Sequence, residues 1–274
     1  MATRELIDLT GPESAELLTA DSVILLGTGA VEHHGPHLPL STDLVVADTV
    51  TSALVERAAA ELDVWRLPTL AYTKSDEHSW ASGTMWLSWD TLMRVLVDLG
   101  RSIATTPARR LVFVNGHGGN SALLQVACRE LRRQFGLSTF LMHPGRPVDH
   151  GGRSTAAEEL GMGVHGGRGE TSVLLYLRPE LVHMDRAVRS VPEHLAEYRH
   201  VGFGKPVSFG WLSDDFGTGG VVGDPTGATA EEGKQLLEDG IEQCLAALRE
   251  IARFDPRPPL TLQPNVPPGL PRTF

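Results

Sequence analysis

An apolar run, Val23-Ile24-Leu25-Leu26, breaks at Gly27 and Gly29, and Glu32, His33, His34, His37 and Asp43 follow close behind it. A short apolar run ending in glycine reads as a buried strand, so the acidic and imidazole residues behind it belong to a loop at the strand's carboxyl end. Carboxylate and imidazole together suit Zn²⁺, Fe²⁺ or Mn²⁺, and the stretch has no cysteine for a thiolate site. In extended chain, residues two apart point the same way. Glu32 and His34 can therefore share a pocket while His33 faces away from it.

The same pattern returns further on. Arg110 to Asn115 is nearly all apolar and stops at Asn115-Gly116-His117-Gly118-Gly119-Asn120. Between these two strands, the three- and four-residue spacing of Val46, Val50, Ala53, Leu54 and Ala58 predicts a helix from Asp43 to about Leu62. Val64 to Tyr72 alternates and contains Pro68, which suits an edge strand or a bulge. Further helices are expected at Leu6 to Leu18 (capped by Thr10 or Ser14), Trp89 to Ala104, Asn120 to Phe135, Glu170 to Leu177 and Thr229 to Arg253. A last strand is expected at Leu137 to Met142. Strands alternating with helices predict one α/β domain, a mainly parallel sheet covered by helices on both faces.

No internal repeat or clear domain boundary is visible. The expected division is a domain over 1–253 and a Pro-rich tail over 254–274, either extended on a neighbouring subunit or mobile. Ser190 to Gly227 is glycine-interrupted and loop-like, and a loop of that length shapes a site or an interface.

Composition narrows the function. A formal charge of −10 over 274 residues, with no Lys/Arg-rich run, excludes a nucleic-acid surface and favours a small or peptidic substrate. Cys128 and Cys244 sit in apolar helical patterns and read as buried thiols in a reducing compartment. No run approaches the ~18 apolar residues of a membrane span, and no basic segment with an apolar core opens the chain, so a cytoplasmic protein is expected.

In open α/β sheets the ligand crevice lies at the carboxyl ends of the strands, where the two polar clusters should meet. Asp43 can bridge two ions there, and His117 can be brought in from the neighbouring strand end. A single loop histidine is more often structural than a ligand, whereas Glu32, His34, Asp43 and His117 together point to a metal. His37, in Pro36-His37-Leu38-Pro39, could be structural or could line the site. Gly116, Gly118 and Gly119 could relieve a tight turn or form a phosphate loop, although the lysine and hydroxyl residue of a P-loop are missing.

Three motifs in register, Glu32-His33-His34-Gly35-Pro36-His37-Leu38-Pro39 with Asp43, Asn115 to Asn120, and His165 with Glu170-Thr171-Ser172, resemble the creatininase family over roughly residues 5 to 253. The resemblance implies a Rossmann-like or four-layer α/β fold, a homohexamer and two divalent ions per chain, Zn²⁺ with Zn²⁺, Fe²⁺ or Mn²⁺. It also implies hydrolysis of cyclic or linear amide bonds. Carried over by position, Glu32 and His117 would hold one ion and His34 the other, with Asp43 shared. His165 would contact substrate, and Glu170 belongs to the same segment. Two positions depart from the family: His33 stands where glutamine is usual, and Gly119 stands where creatininase has a further metal-binding glutamate. The second departure argues against creatinine as substrate and leaves Glu170 or solvent to complete the second ion.

The expected activity is therefore hydrolysis of a lactam, formamide or other small amide by metal-activated water. His165 or Glu170 is the expected general acid. Alternatives are trimming of a modified precursor peptide, hydrolytic opening of a keto-inositol or keto-sugar ring, and a non-catalytic oligomer. Members of the family often carry a Glu-His pair where Glu77-His78 stands here, so the resemblance assigns His78 to supporting a ligand, to substrate or to loop stabilisation. Trp80, Trp86, Trp211 and Phe216 form an apolar wall over the pocket or pack loops together. Gly223-Asp224-Pro225-Thr226 reads as a turn and helix cap. Arg146 and Arg153 are candidates for an anionic substrate group or are simply solvated.

Overall fold

Four apolar segments pair as a parallel sheet: β1 (Val23–Thr28), β2 (Val64–Leu70), β3 (Arg110–Asn115) and β4 (Ser138–Met142), in the order β2-β1-β3-β4. The computed structural model describes residues 4–145 and 156–257. Every residue of β1 is buried, as expected of a parallel strand flanked on both sides and covered on both faces. Pro68 lies on β2, which borders only β1 and slips register with it between Leu26 and Thr28. An edge position and a bulge are both places where a strand tolerates proline.

Alternate strand residues feed two cores. Val23, Leu25, Val112 and Val114 pack with α2 (Thr42–Ala58), α5 (Arg168–Leu177) and α6 (Ala230–Ile251) through Val50, Leu54, Val173, Leu174, Leu237, Ile241 and Leu248. Ile24, Leu26, Leu111 and Phe113 pack on the other face with α3 (Trp89–Ile103) and α4 (Ser121–Phe135) through Leu92, Leu96, Leu124 and Leu131. Burying each such side chain contributes about 1.5–3 kcal/mol, so the strand pattern and the two sets of helices support each other. The result is three layers, helices on both sides of one parallel sheet, as the alternation predicts.

Boundaries differ from the sequence reading in two places. The lead-in helix splits into a 3-10 turn at Leu6–Asp8 and α1 (Gly11–Leu17), because Thr10 forms a capping box with Glu13 and Pro12 occupies the first helical turn. The long segment after Ser190 is pinned by single bridges, Ser190 to Gly223 and His165 to Val222, with a further bridge from Val201 to Val207. These fix its end against the chain leading into α5.

Cys244 is buried and Cys128 half-buried, and neither is in a disulfide. Among the described residues no helix is long and apolar enough to cross a membrane. Phe254, at the start of the expected tail, packs edge-on against Phe140 of β4, 5.8 Å between centroids. Arg146, Arg153 and the tail from 258 onward lie outside the described residues.

Candidate metal centre

β2 lies on one side of β1 and β3 on the other, so the strand order reverses between β1 and β3. A crevice opens at the carboxyl ends of such a pair, and both polar motifs emerge there. The Gly116 amide donates to the Thr28 carbonyl at 2.9 Å, tying the two strand ends together. A Cβ on residue 116 would stand 2.9 Å from the Asp43 carbonyl oxygen and 3.0 Å from the Ala47 Cβ. Glycine is what lets the end of β3 rest against the first turn of α2, and that contact carries His117 to Asp43. The Asn115 side chain holds the turn, accepting from Thr28 Oγ1 at 2.9 Å and donating to the His117 carbonyl at 2.6 Å. Asp43 occupies the N-terminal turn of α2, where the helix dipole favours a negative charge.

Glu32 Oε1 stands among four imidazoles: 3.4 Å from His117 Nδ1, 3.6 Å from His34 Nε2, 3.6 Å from His165 Nδ1 and 3.7 Å from His78 Nε2. Its other oxygen accepts from Ser75 Oγ. Asp43 divides its carboxylate, Oδ1 lying 3.4 Å from His34 Nε2 and Oδ2 2.9 Å from His117 Nδ1. The shorter contact lacks hydrogen-bond alignment, and both Asp43 Oδ2 and His34 Nε2 are buried without a hydrogen bond. Glu170, in the first turn of α5, brings Oε2 to 3.9 Å from His34 Nε2 and accepts from the Gly166 amide.

These ligand atoms fall into sets lying within 4.8 Å of one another: Glu32, His34 and His165; Glu32, Glu77 and His117; and His34, Asp43 and Glu170. Buried polar atoms without partners are costly. Facing carboxylates and imidazoles set too far apart, or aligned too poorly, to bond one another are what a divalent cation between them would satisfy.

Three of the rings are oriented from behind. His34 Nδ1 lies 3.2 Å from the Glu32 carbonyl, His117 Nε2 2.7 Å from the Lys74 carbonyl and His165 Nε2 2.7 Å from the His33 carbonyl. With the far nitrogen donating to a backbone oxygen, a neutral ring turns the lone pair of its near nitrogen into the centre.

Charge is concentrated here. Burial pushes the Glu32 carboxyl up to about 7. Burial alone would lower His34, but Asp43, Glu32 and Glu170 outweigh it and hold the imidazole up at about 10. His117 is likewise held well above its ordinary value, with Glu32 and Asp43 overcoming burial. Asp43 stays ionised far below the usual carboxylate range because His34 and His117 outweigh its burial. Without metal, imidazolium forms of His34 and His117 therefore offset part of the carboxylate charge. His165 and His78 go the other way: burial, with His78 and His34 beside it, holds His165 well below 6.5, and burial lowers His78 to about 3. Both rings are neutral at pH 7, and His165 stacks on His78 at 3.9 Å.

The other sequence-expected residues divide. His78 Nδ1 is buried without a partner, and Trp211 meets the same ring edge-on at 6.3 Å. Trp211 belongs to an aromatic group with Phe203 and Phe216 on the long loop. Trp80 donates its indole N–H to Ser213 Oγ at 2.7 Å and packs on His33, so it joins two loops. His33 thereby faces away from the carboxylate cluster, as alternation predicts. His37 is fully buried, and its Nε2 meets Thr171 Oγ1 of α5 at 2.9 Å.

Sequence reasoning missed two residues. Glu77 lies behind His117, Oε1 3.4 Å from Nε2, and its signal was its place beside His78 in a Glu-His pair common in the family. Glu159, with no exposed surface, accepts from the amides of Arg168 and Asp224 at 2.9 and 2.7 Å, joining the start of α5 to the Gly223-Asp224 turn. Its stretch carries no readable motif.

Residues 7–248 match the creatininase family model, described as creatinine amidohydrolase. The chain is 38% identical over 256 residues to a mycofactocin precursor peptide peptidase of Mycobacterium ulcerans, covering 89% of this chain and 90% of that protein. It is 33% identical over 208 residues to a creatinine amidohydrolase of Pseudomonas putida, covering 70% of this chain and 78% of that protein. A solved structure described as "Creatininase Mn" superposes with a TM-score of 0.69 at 28% identity, covering 91% of this chain and 98% of its own. The chain belongs to the creatininase family of amidohydrolases.

Proposed function

We propose that the protein is a dinuclear metal-dependent hydrolase of amide C–N bonds. The observation that carries this reading is the Asp43 carboxylate divided between His34 and His117, with orphaned buried atoms at His34 Nε2 and Asp43 Oδ2. Glu32, Asp43 and His117 would hold one ion, and His34, Asp43 and Glu170 the other. This nitrogen and oxygen donor set suits Zn²⁺, Fe²⁺ or Mn²⁺. Divalent ions bound there would lower the pKa of water towards ~7 and polarise a scissile carbonyl.

The protein's own groups do the rest. His165, neutral and fixed by its bond to the His33 carbonyl, can take a proton at Nδ1 and return it to the leaving nitrogen. Glu170, partly exposed, is the second group able to move that proton. His78 Nδ1 offers a polar contact to substrate, with Trp211 beside it.

Among substrates, a peptide amide ranks ahead of creatinine. The likeness to the peptide peptidase spans more of this chain than the likeness to creatinine amidohydrolase. Gly119 also lacks the glutamate that the resemblance to creatininase leads one to expect. The test is a metal-reconstituted screen over short peptides, lactams, formamides and keto-inositols. Amide hydrolysis should be lost in Glu32→Ala and His117→Ala, and activity surviving both changes would sink the assignment.

Self-association belongs to the same reading. Tyr72, Met85, Trp86 and Trp89 stand exposed between the end of β2 and the start of α3, and apolar surface of this kind is commonly covered by another subunit. Light scattering should find a hexamer. Two cysteines outside any disulfide suit a cytoplasmic location.

A further inference from the structure

We propose that Glu77 is a positioning residue for the His117 metal ligand, and that glycine at position 119 provides the volume in which it does so. The inference rests on the dinuclear reading and concerns what stands behind one of its ligands.

His117 has two working faces. Nδ1 looks into the centre, towards Asp43 Oδ2 and Glu32 Oε1. On the opposite side, Nε2 meets the Lys74 carbonyl at 2.7 Å and Glu77 Oε1 at 3.4 Å. Both partners come from one short segment, whose 3-10 turn at Asp76–His78 folds back over the end of β3. Glu77 is itself held. Its Oε2 accepts from Lys74 Nζ at 2.8 Å, its main-chain carbonyl accepts from Ser213 Oγ at 3.2 Å, and the residue is 8% exposed.

The space it uses belongs to residue 119. A Cβ there would lie 1.8 Å from Glu77 Oε1, 2.8 Å from its carboxyl carbon and 2.5 Å from His117 Nε2. A side chain at 119 therefore cannot coexist with the Glu77 carboxylate where it now lies. This chain supplies its carboxylate from the Asp76–His78 turn and leaves 119 bare. A carboxylate behind a ligating imidazole keeps the hydrogen on the far nitrogen, fixes the ring's orientation and makes the near nitrogen a better donor. Losing such a partner commonly weakens metal binding by about 10- to 100-fold.

The test compares full-length wild type, Glu77→Gln, Gly119→Ala, the double variant and His117→Ala. Zn²⁺ affinity is measured by competition with a chromophoric chelator, and the His117 ring by ¹⁵N NMR without metal. His117→Ala should lose one ion. Glu77→Gln should weaken that same ion by about 10- to 100-fold and leave the other in place. Gly119→Ala should weaken it too, by displacing the carboxylate and crowding the His117 ring. The double variant should be no weaker than the worse single one, because both changes remove one interaction. The Nε2 resonance of His117 should move in Glu77→Gln, a change that a mere Lys74 ion pair would not produce. Unfolding curves of the metal-free proteins identify any variant that fails to fold, and the isosteric Glu77→Gln still decides the matter if Gly119→Ala is lost. Two ions held with wild-type affinity by Glu77→Gln, while His117→Ala loses one, would overturn this inference alone. Two ions held by His117→Ala would overturn the dinuclear reading beneath it.

Discussion

Asp43 Oδ2 and His117 Nδ1 lie 2.9 Å apart without the alignment of a hydrogen bond. One residue comes from the start of α2 and the other from the end of β3, and Gly116 lets the two elements touch. Because the other Asp43 oxygen faces His34, the two histidines should serve different ions. His34→Ala and His117→Ala should each leave about one ion per chain by elemental analysis. Loss of both ions, or of neither, from either variant would contradict this division.

Metal binding should release protons. Free of metal, His34 holds its proton up to about pH 10 and His117 holds its own well above the usual range, because the surrounding carboxylates outweigh burial. Both must be deprotonated to ligate, so affinity should climb as pH rises from 6 to 9, where these groups still carry protons in the empty centre. Calorimetry in buffers of different ionisation enthalpy should register net proton release at pH 7. Affinity that is flat across that range would count against His34 and His117 as ligands.

His165 is assigned to proton transfer, not to holding metal. His165→Ala should lower kcat by about 10²- to 10⁴-fold with both ions retained. Loss of an ion would instead make it a ligand, an arrangement its distance from Glu32 Oε1 also permits.

Glu159 should matter for stability and for the reach of Glu170. Glu159→Ala leaves the amides of Arg168 and Asp224 without their acceptor, at a cost of about 1–3 kcal/mol for each amide that water cannot reach. Gly163→Ala should mimic it, since a Cβ there would lie 2.1 Å from Glu159 Oε2. Denaturant unfolding measures both, and wild-type stability in both would remove Glu159 from the account.

The sheet was legible because buried parallel strands are written as unbroken apolar runs, and Val23 to Leu26 and Leu111 to Val114 are such runs. Glu32, His34, Asp43 and His117 were legible because each follows a strand end or opens a helix, where position in sequence nearly fixes position in space. Glu77 and Glu159 were not. Their places depend on what another segment lacks, a side chain at 119 or at 163, and no local pattern announces that. His37 illustrates the converse, since its neighbours suggested the site while its partner, Thr171, comes from a distant helix. The bridges from Ser190 to Gly223 and from His165 to Val222 were hidden among glycines that read as loop.

Asp43 carries the central claim, one carboxylate shared by two ions. The decisive measurement is the metal content of reconstituted wild type against Asp43→Asn, with folding checked by circular dichroism. Wild type should hold about two ions per chain and a folded Asp43→Asn neither. A wild type without stoichiometric metal, or a variant that keeps both ions, would contradict that claim.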